Sequence, residues 1–344
     1  MKKCCSRPLS AFLATLALAM TGSAVTEAQA QECPVSPATG LIAFEVGVST
    51  VLGHIPETAA GKRVPLVLNL HPSGGSGLRS LEDSRHVADE NGFVLVTPTG
   101  DVGPIFGGWT WNVPGVPTFG EGNYPAEDAR NEVEFLSQVI DKASEIACID
   151  PKRIYVMGFS GGARMASRMA CDMADRIAAI APIGGIRFSK PSDTGLGLPN
   201  AQACTPSRPV PVMALHGHWD PTNVWYDSEL GETPFLNPSD GSKRVAAAPK
   251  PGTSWSYSGE AALARWVEHN GCSLEPKITD IADDVQQRDY QDCRDGGDVT
   301  LMFFEDGGHA VPGYDTAWGP GQGISDFDGY AVAWDLLKSH SLPE

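Results

Sequence analysis

Short apolar runs alternate along this chain with stretches whose apolar positions recur every three or four residues. Residues 41–48 and 50–56 read as two opening strands. Residues 64–70 form an apolar run that ends in a Pro/Ser/Gly loop, and 92–98 repeat the pattern after a polar, helix-like stretch over 81–90. Such runs, bounded by turn residues, fit strands buried on both faces. From 127 to 147 the apolar residues Val133, Leu136, Ile140, Ala143 and Ala147 share one face of an amphipathic helix. The alternation continues with strand 153–158, helix 160–174, strands 177–183 and 210–216, helix 260–270, strand 299–304 and a closing helix over 324–339. Strands alternating with helices predict an α/β fold, a mostly parallel sheet with helices on both faces. Two segments interrupt the pattern, 101–126 and 221–258, and both read as long loops, the second with room for short elements. Loops of that length inside a domain are usually functional.

The first thirty residues stand apart from this pattern. Lys2, Lys3 and Arg7, an apolar small-residue run over 11–25, and Ala28-Gln29-Ala30 have the layout of a secretory signal peptide over 1–30. The run is too short and Ala-rich for a membrane span, and Gln31-Glu32 before Cys33 does not fit a lipid-anchored start. No linker divides the remainder, so 31–344 is expected to be a single domain, exported to the periplasm or beyond. Across the chain 25 basic residues oppose 42 acidic ones, and losing three basic residues and one acidic residue with the leader takes the formal net charge from −17 to −19. That balance argues against nucleic acid or an anionic membrane as a partner. Gly and Pro, at 38 and 27 residues, exceed ordinary usage without reaching that of a disordered chain, which fits an ordered protein with long loops.

Export also gives the cysteines a role. Cys33, Cys148, Cys171, Cys204, Cys272 and Cys293 remain after the leader, and many pairings are open to them. Local spacing favours Cys272 with Cys293 and Cys148 with Cys171, which leaves Cys33 with Cys204. They form no C-x-x-C units, so no zinc site is expected. The glycines at 74–77 lack the Lys-Ser/Thr of a phosphate loop, and the acidic run 280–298 lacks EF-hand spacing and reads as a solvated face. No metal or cofactor is expected.

The candidate chemistry sits at strand ends. Gly158-Phe159-Ser160-Gly161-Gly162 is a G-x-S-x-G match between a strand and a helix, the context of a sharp turn that lifts a serine Oγ above a sheet. A serine hydroxyl is a weak nucleophile unless a base takes its proton and a third group orients that base. Asp220 closes His216-Gly217-His218-Trp219-Asp220 after strand 210–216, and His309 closes Glu305-Asp306-Gly307-Gly308-His309 after strand 299–304. The order serine, acid, histidine, each at a strand end, makes Ser160, Asp220 and His309 the candidate triad. Asp298 and Asp306 compete for the acid but lie on or beside the histidine's own strand and loop, and His216 and His218 read as structural. An oxyanion needs two fixed N–H donors. Gly161 follows the nucleophile, and in His71-Pro72-Ser73-Gly74-Gly75 the proline has no N–H, which leaves Ser73. Trp109, Trp111, Trp219 and Trp225 fall in loops near the same end and are candidate substrate platforms, with packing as the competing role. Trp266 and Trp334 lie on helices and read as core.

Several of these stretches resemble one family. Residues 65–71, the run 148–162 with Met169-Ala170-Cys171-Asp172 and 181–185 behind it, His216 to Pro221, 266–272 and 307–313 are similar to segments of the secreted polyhydroxybutyrate depolymerase-like and feruloyl esterase-like hydrolases. The resemblance covers most of the chain from about residue 40 onward. It implies an α/β-hydrolase fold with the triad already assigned. It also implies a secreted serine esterase on feruloyl or acetyl esters of plant polysaccharide, with polyhydroxyalkanoate as the alternative substrate. Pro72 replaces the glycine usual in the family, and neither long loop matches a family segment. A non-catalytic secreted binding protein on the same scaffold, and a peptidase, are the readings from other classes.

Overall fold

The computed structural model describes residues 38–105, 107–116, 124–192, 198–226, 234–236, 243–245, 257–314 and 326–343. The leader and Cys33 lie outside them. The strands are β1 (Gly40–Val46), β2 (Ser49–Ile55), β3 (Val64–Leu70), β4 (Val94–Thr97), β5 (Val102–Ile105), β6 (Gly108–Thr110), β7 (Ile149–Phe159), β8 (Ala179–Ile183), β9 (Val212–Gly217), β10 (Pro234–Leu236), β11 (Lys243–Val245), β12 (Lys277–Ala282), β13 (Val285–Tyr290) and β14 (Val299–Phe304). The helices are α1 (Gly77–Asn91), α2 (Glu132–Ile146), α3 (Gly161–Asp172), α4 (Gly259–Asn270) and α5 (Gly329–Leu337).

Ten strands form one sheet in the order β1-β2-β4-β3-β7-β8-β9-β14-β13-β12. The centre, from β4 to β14, is parallel, and antiparallel strands extend both edges. Alternate residues of each central strand feed two different cores. Leu66, Leu68 and Leu70 of β3, Ile154 and Val156 of β7, and Val212 and Ala214 of β9 meet apolar faces of α2, α3 and α4. Val67, Tyr155, Met157, Met213 and Leu215 point the other way, toward Val87 and Ala88 of α1 and Trp334 and Leu337 of α5. Both-face burial is why these strands read as continuous apolar runs.

The helices mostly begin and end on local chemistry. Asn131, Ser258 and Asp328 accept backbone N–H groups at the starts of α2, α4 and α5, and α1 and α4 stop at the left-handed Gly92 and Gly271. A side-chain N-cap of this kind contributes about 1 kcal/mol. α3 departs from the rule, because Ser160 at its N-cap makes no capping hydrogen bond.

Two expectations change. The segment 101–126 contains the hairpin β5–β6. The acidic run 280–298 carries much of the edge pair β12–β13 and a 3-10 turn at Arg294–Gly296, and it is largely exposed, as expected of a solvated face. Cys272 pairs with Cys293 as expected, but Cys171 pairs with Cys204. Cys171 ends α3 facing the segment after β8, where its sulfur meets the Phe188 carbonyl and its Cα lies 5.2 Å from that of Cys204. Cys148 is disulfide-bonded elsewhere, on the β3 side of β7, where its carbonyl accepts the Val64 N–H. The pairings Cys148–Cys171 and Cys33–Cys204 are therefore excluded. No described helix is long and apolar enough to cross a membrane.

Candidate active site

The turn from β7 into α3 is tight enough to dictate its residues. Ser160 has φ 53° and ψ −111°, a strained conformation for a residue with a side chain. Strain of this sort costs about 1–3 kcal/mol and persists only where the surroundings enforce it. Here backbone crowding does so: a Cβ on Gly162 would lie 1.9 Å from the Leu70 carbonyl oxygen, and one on Gly158 would lie 2.7 Å from the Gly162 carbonyl carbon. The Ser160 N–H is held by the Ile183 carbonyl at 2.9 Å, so the turn is pinned to the end of β8. The Oγ, released from capping, points to a histidine.

That histidine is His309. Its Nε2 lies 2.9 Å from Ser160 Oγ and its Nδ1 2.7 Å from Asp220 Oδ2. A carboxylate at Nδ1 places the proton there, which leaves Nε2 as the acceptor for the serine hydroxyl. All three residues are buried, and the Phe159 ring packs 4.8 Å from the imidazole. The loops carrying acid and base are laced together. His218 N–H donates to the Phe304 carbonyl at 2.9 Å and Trp219 N–H to the Gly307 carbonyl at 2.8 Å. Gly217 makes this possible, since a Cβ there would fall 2.5 Å from the Gly307 backbone.

Asp220 is fixed from its other side as well. Oδ1 accepts the Thr222 and Asn223 N–H groups, both at 2.8 Å. Burial pushes the carboxyl pKa up, but His309, His216 and the Asn223 N–H together outweigh it and hold the group below the ordinary aspartate value. His216 is structural, as expected: its Nε2–H donates to the Asn223 carbonyl at 2.7 Å, 3.7 Å from Asp220 Oδ2. Burial lowers its pKa and favours the neutral ring. Asp298, a competing acid, lies instead 3.8 Å from His340.

Both oxyanion candidates adjoin the serine. A Cβ on Gly161 would lie 3.0 Å from the Ser73 nitrogen and 2.5 Å from its Oγ, so the two backbones are in close contact. Neither the Ser73 nor the Gly161 N–H has a hydrogen-bond acceptor among the described residues. Ser73 is braced by its hydroxyl, 2.7 Å from Thr110 Oγ1, and by the Gly74 N–H donating to the Trp109 carbonyl at 2.9 Å. Beneath it His71 accepts the Gly100 N–H at Nε2 and donates from Nδ1 to the Pro72 carbonyl. Burial lowers the His71 pKa to about 4, so the ring stays neutral and can accept.

The four tryptophans divide. Trp109 and Trp219 are 41% and 36% exposed, on β6 and beside Asp220. Trp111 and Trp225 are buried and are corrected to packing roles. Trp111 Nε1 donates to the His71 carbonyl at 2.8 Å, and Trp225 packs between His216 and Phe303. Sequence reasoning missed Asn223, which joins Asp220, His216, Gly184, Arg164 and Arg187. An asparagine three residues after the acid carries no pattern that would mark it.

The sheet order and the strand–turn–helix elbow, with serine, acid and histidine at successive strand ends, define an α/β-hydrolase fold. No protein-family model matches the chain. It is similar to several esterases and to a polyhydroxyalkanoate depolymerase. A feruloyl esterase B from Piromyces equi is 28% identical over 82% of this chain and 43% of its own length. A poly(3-hydroxyalkanoate) depolymerase C from Paucimonas lemoignei is 25% identical over 55% of this chain and 43% of its own. This chain thus spans under half the length of either relative. Among solved structures, an acetyl xylan esterase from Aspergillus awamori superposes with a TM-score of 0.53 at 14% identity, covering 86% of this chain and 100% of that one.

Proposed function

We propose that the protein is a secreted serine carboxylic-ester hydrolase that cleaves feruloyl or acetyl esters of plant polysaccharide. The observation that carries this reading is His309, hydrogen-bonded to Ser160 Oγ on one side and to Asp220 on the other. In the first step His309 Nε2 takes the hydroxyl proton as Oγ attacks the ester carbonyl, and the Gly161 and Ser73 N–H groups hold the oxyanion. Asp220 stabilises the resulting imidazolium, which passes its proton to the departing alcohol. Water, deprotonated by His309, then attacks the acyl-enzyme, and collapse of the second tetrahedral intermediate returns Ser160 and frees the acid. Removing one oxyanion donor from such a site costs about two to three orders of magnitude in kcat.

The substrate assignment draws on the similarity to a feruloyl esterase and on the exposed rings of Trp109 and Trp219, which suit a flat aromatic acid or a sugar. Export is supported by the layout of residues 1–30 and by the disulfides, and 31–344 is read as one catalytic domain. Similarity to the Paucimonas depolymerase supports a polyester as the second reading. Rates on methyl ferulate, acetylated xylan and hydroxybutyrate oligomers, measured without added cofactor, separate the two. Preference for either of the first pair is expected, and preference for the oligomers would move the assignment to polyester.

A further inference from the structure

Behind the acid loop two buried guanidinium groups have too few acceptors among the described residues. Arg164 on α3 and Arg187 after β8 are 6% and 3% exposed. Both donate to one neutral atom, Asn223 Oδ1, at 2.7 and 3.0 Å, and Arg187 also donates to the Ile186 carbonyl at 3.0 Å. The Nε–H of each is buried without a hydrogen-bond partner among the described residues. Among the described residues neither forms an ion pair with a carboxylate. The field of Asp220 reaches both, yet its oxygens are already bound to His309 and to two backbone N–H groups. Tyr257, whose ring lies 5.1 Å from the Arg187 guanidinium, is kept protonated by burial. Among the described residues two buried positive charges therefore face one negative charge, and an uncompensated buried charge is costly.

A cavity of ≈ 10 Å³ adjoins the pair. Arg164, Arg168, Arg187 and Lys190 line it together with Ser167 and Ser189, and among the described residues no Asp or Glu is in its wall. Arg168 is already neutralised by Asp172 at 2.6 Å, whereas Arg164 and Arg187 are not. That volume suits a single water-sized or monatomic species and is too small for phosphate or a sugar acid.

We propose that this cavity binds one small monovalent anion of halide size, held by the unpartnered Nε–H groups of Arg164 and Arg187. A single negative charge balances the cluster and satisfies the two orphaned donors together. The consequence reaches the candidate active site through Asn223, which both arginines hold by its side chain and whose backbone N–H holds Asp220 Oδ1. Burial and the neighbouring Arg187 push the Arg164 pKa down to about 9, and a bound anion would reverse that shift.

The site stands or falls independently of the ester-hydrolase reading, because its test uses binding alone. Wild-type crystals grown in sodium bromide should show an anomalous peak in the cavity, in contact with both guanidinium groups. In solution the wild-type melting temperature should rise saturably with chloride against gluconate at constant ionic strength. Arg187→Met should abolish that difference; if the variant does not fold, the two wild-type measurements decide. Absence of a bromide peak in the cavity, or identical melting in the two salts, would overturn the proposal.

Discussion

Replacing Asp220 by asparagine should leave the protein folded and nearly inactive, for a reason set by three hydrogen bonds. Asp220 Oδ1 accepts two N–H groups at 2.8 Å, and Oδ2 accepts the His309 Nδ1–H at 2.7 Å. An asparagine has one accepting end and one donating end. Turned one way, its oxygen keeps the Thr222 and Asn223 N–H groups and its amide NH2 faces His309 Nδ1. The ring must then carry its proton on Nε2 and present a donor, not a base, to Ser160 Oγ. Turned the other way, the amide nitrogen opposes two buried N–H donors and forfeits both bonds, about 1–3 kcal/mol each. The first orientation wins, and the base is lost while the fold is kept. Holding the histidine in the wrong tautomer costs about four orders of magnitude in kcat, or about 5.5 kcal/mol of transition-state stabilisation. Turnover of p-nitrophenyl acetate by wild type and Asp220→Asn, with a melting curve for each, measures both quantities. A folded variant that loses less than about tenfold in kcat would refute the reasoning.

Other consequences can be checked singly. The His71 pKa of about 4 lies below that of the unfolded chain, so the unfolded chain takes up the proton first. Stability is then full above about pH 6.5 and falls by about 3 kcal/mol as the pH drops toward 4. Urea unfolding across that range should show a flatter profile for His71→Gln, and parallel profiles would count against the assignment. A Cβ on Gly162 would sit 1.9 Å from the Leu70 carbonyl oxygen, so Gly162→Ala should destabilise by about 3 kcal/mol or more; an unchanged melting temperature would contradict the elbow geometry. The Cys171–Cys204 bridge joins residues 33 apart, and its removal by the double serine variant should cost about 4 kcal/mol in denaturant unfolding. Equal unfolding midpoints for variant and wild type would contradict it.

The parallel centre of the sheet was legible because strands buried on both faces leave apolar runs, such as 64–70 and 210–216, that turn residues cut cleanly. The candidate triad was legible for a related reason: each member stands in a short polar loop directly after such a run. The antiparallel edge escaped because β12 is exposed throughout and β13 buries fully only Val285, so neither leaves an apolar period. The Trp111 and Trp225 roles escaped because a tryptophan in a loop reads the same whether its ring is solvated or, as here, pinned under the loop. The cysteine pairing depended on which way the last turn of α3 faces, a tertiary fact that spacing does not encode. The cluster of Asn223, Arg164 and Arg187 depended on three distant segments meeting, which no spacing in the sequence marks.

The most direct test of the central claim is covalent labelling by an alkyl fluorophosphonate, followed by peptide mass spectrometry and an ester-hydrolysis assay. A single adduct on Ser160, loss of p-nitrophenyl ester hydrolysis in step with labelling, and no labelling of Ser160→Ala are expected. A folded wild-type protein that hydrolyses the ester yet takes no label at Ser160 would contradict the account.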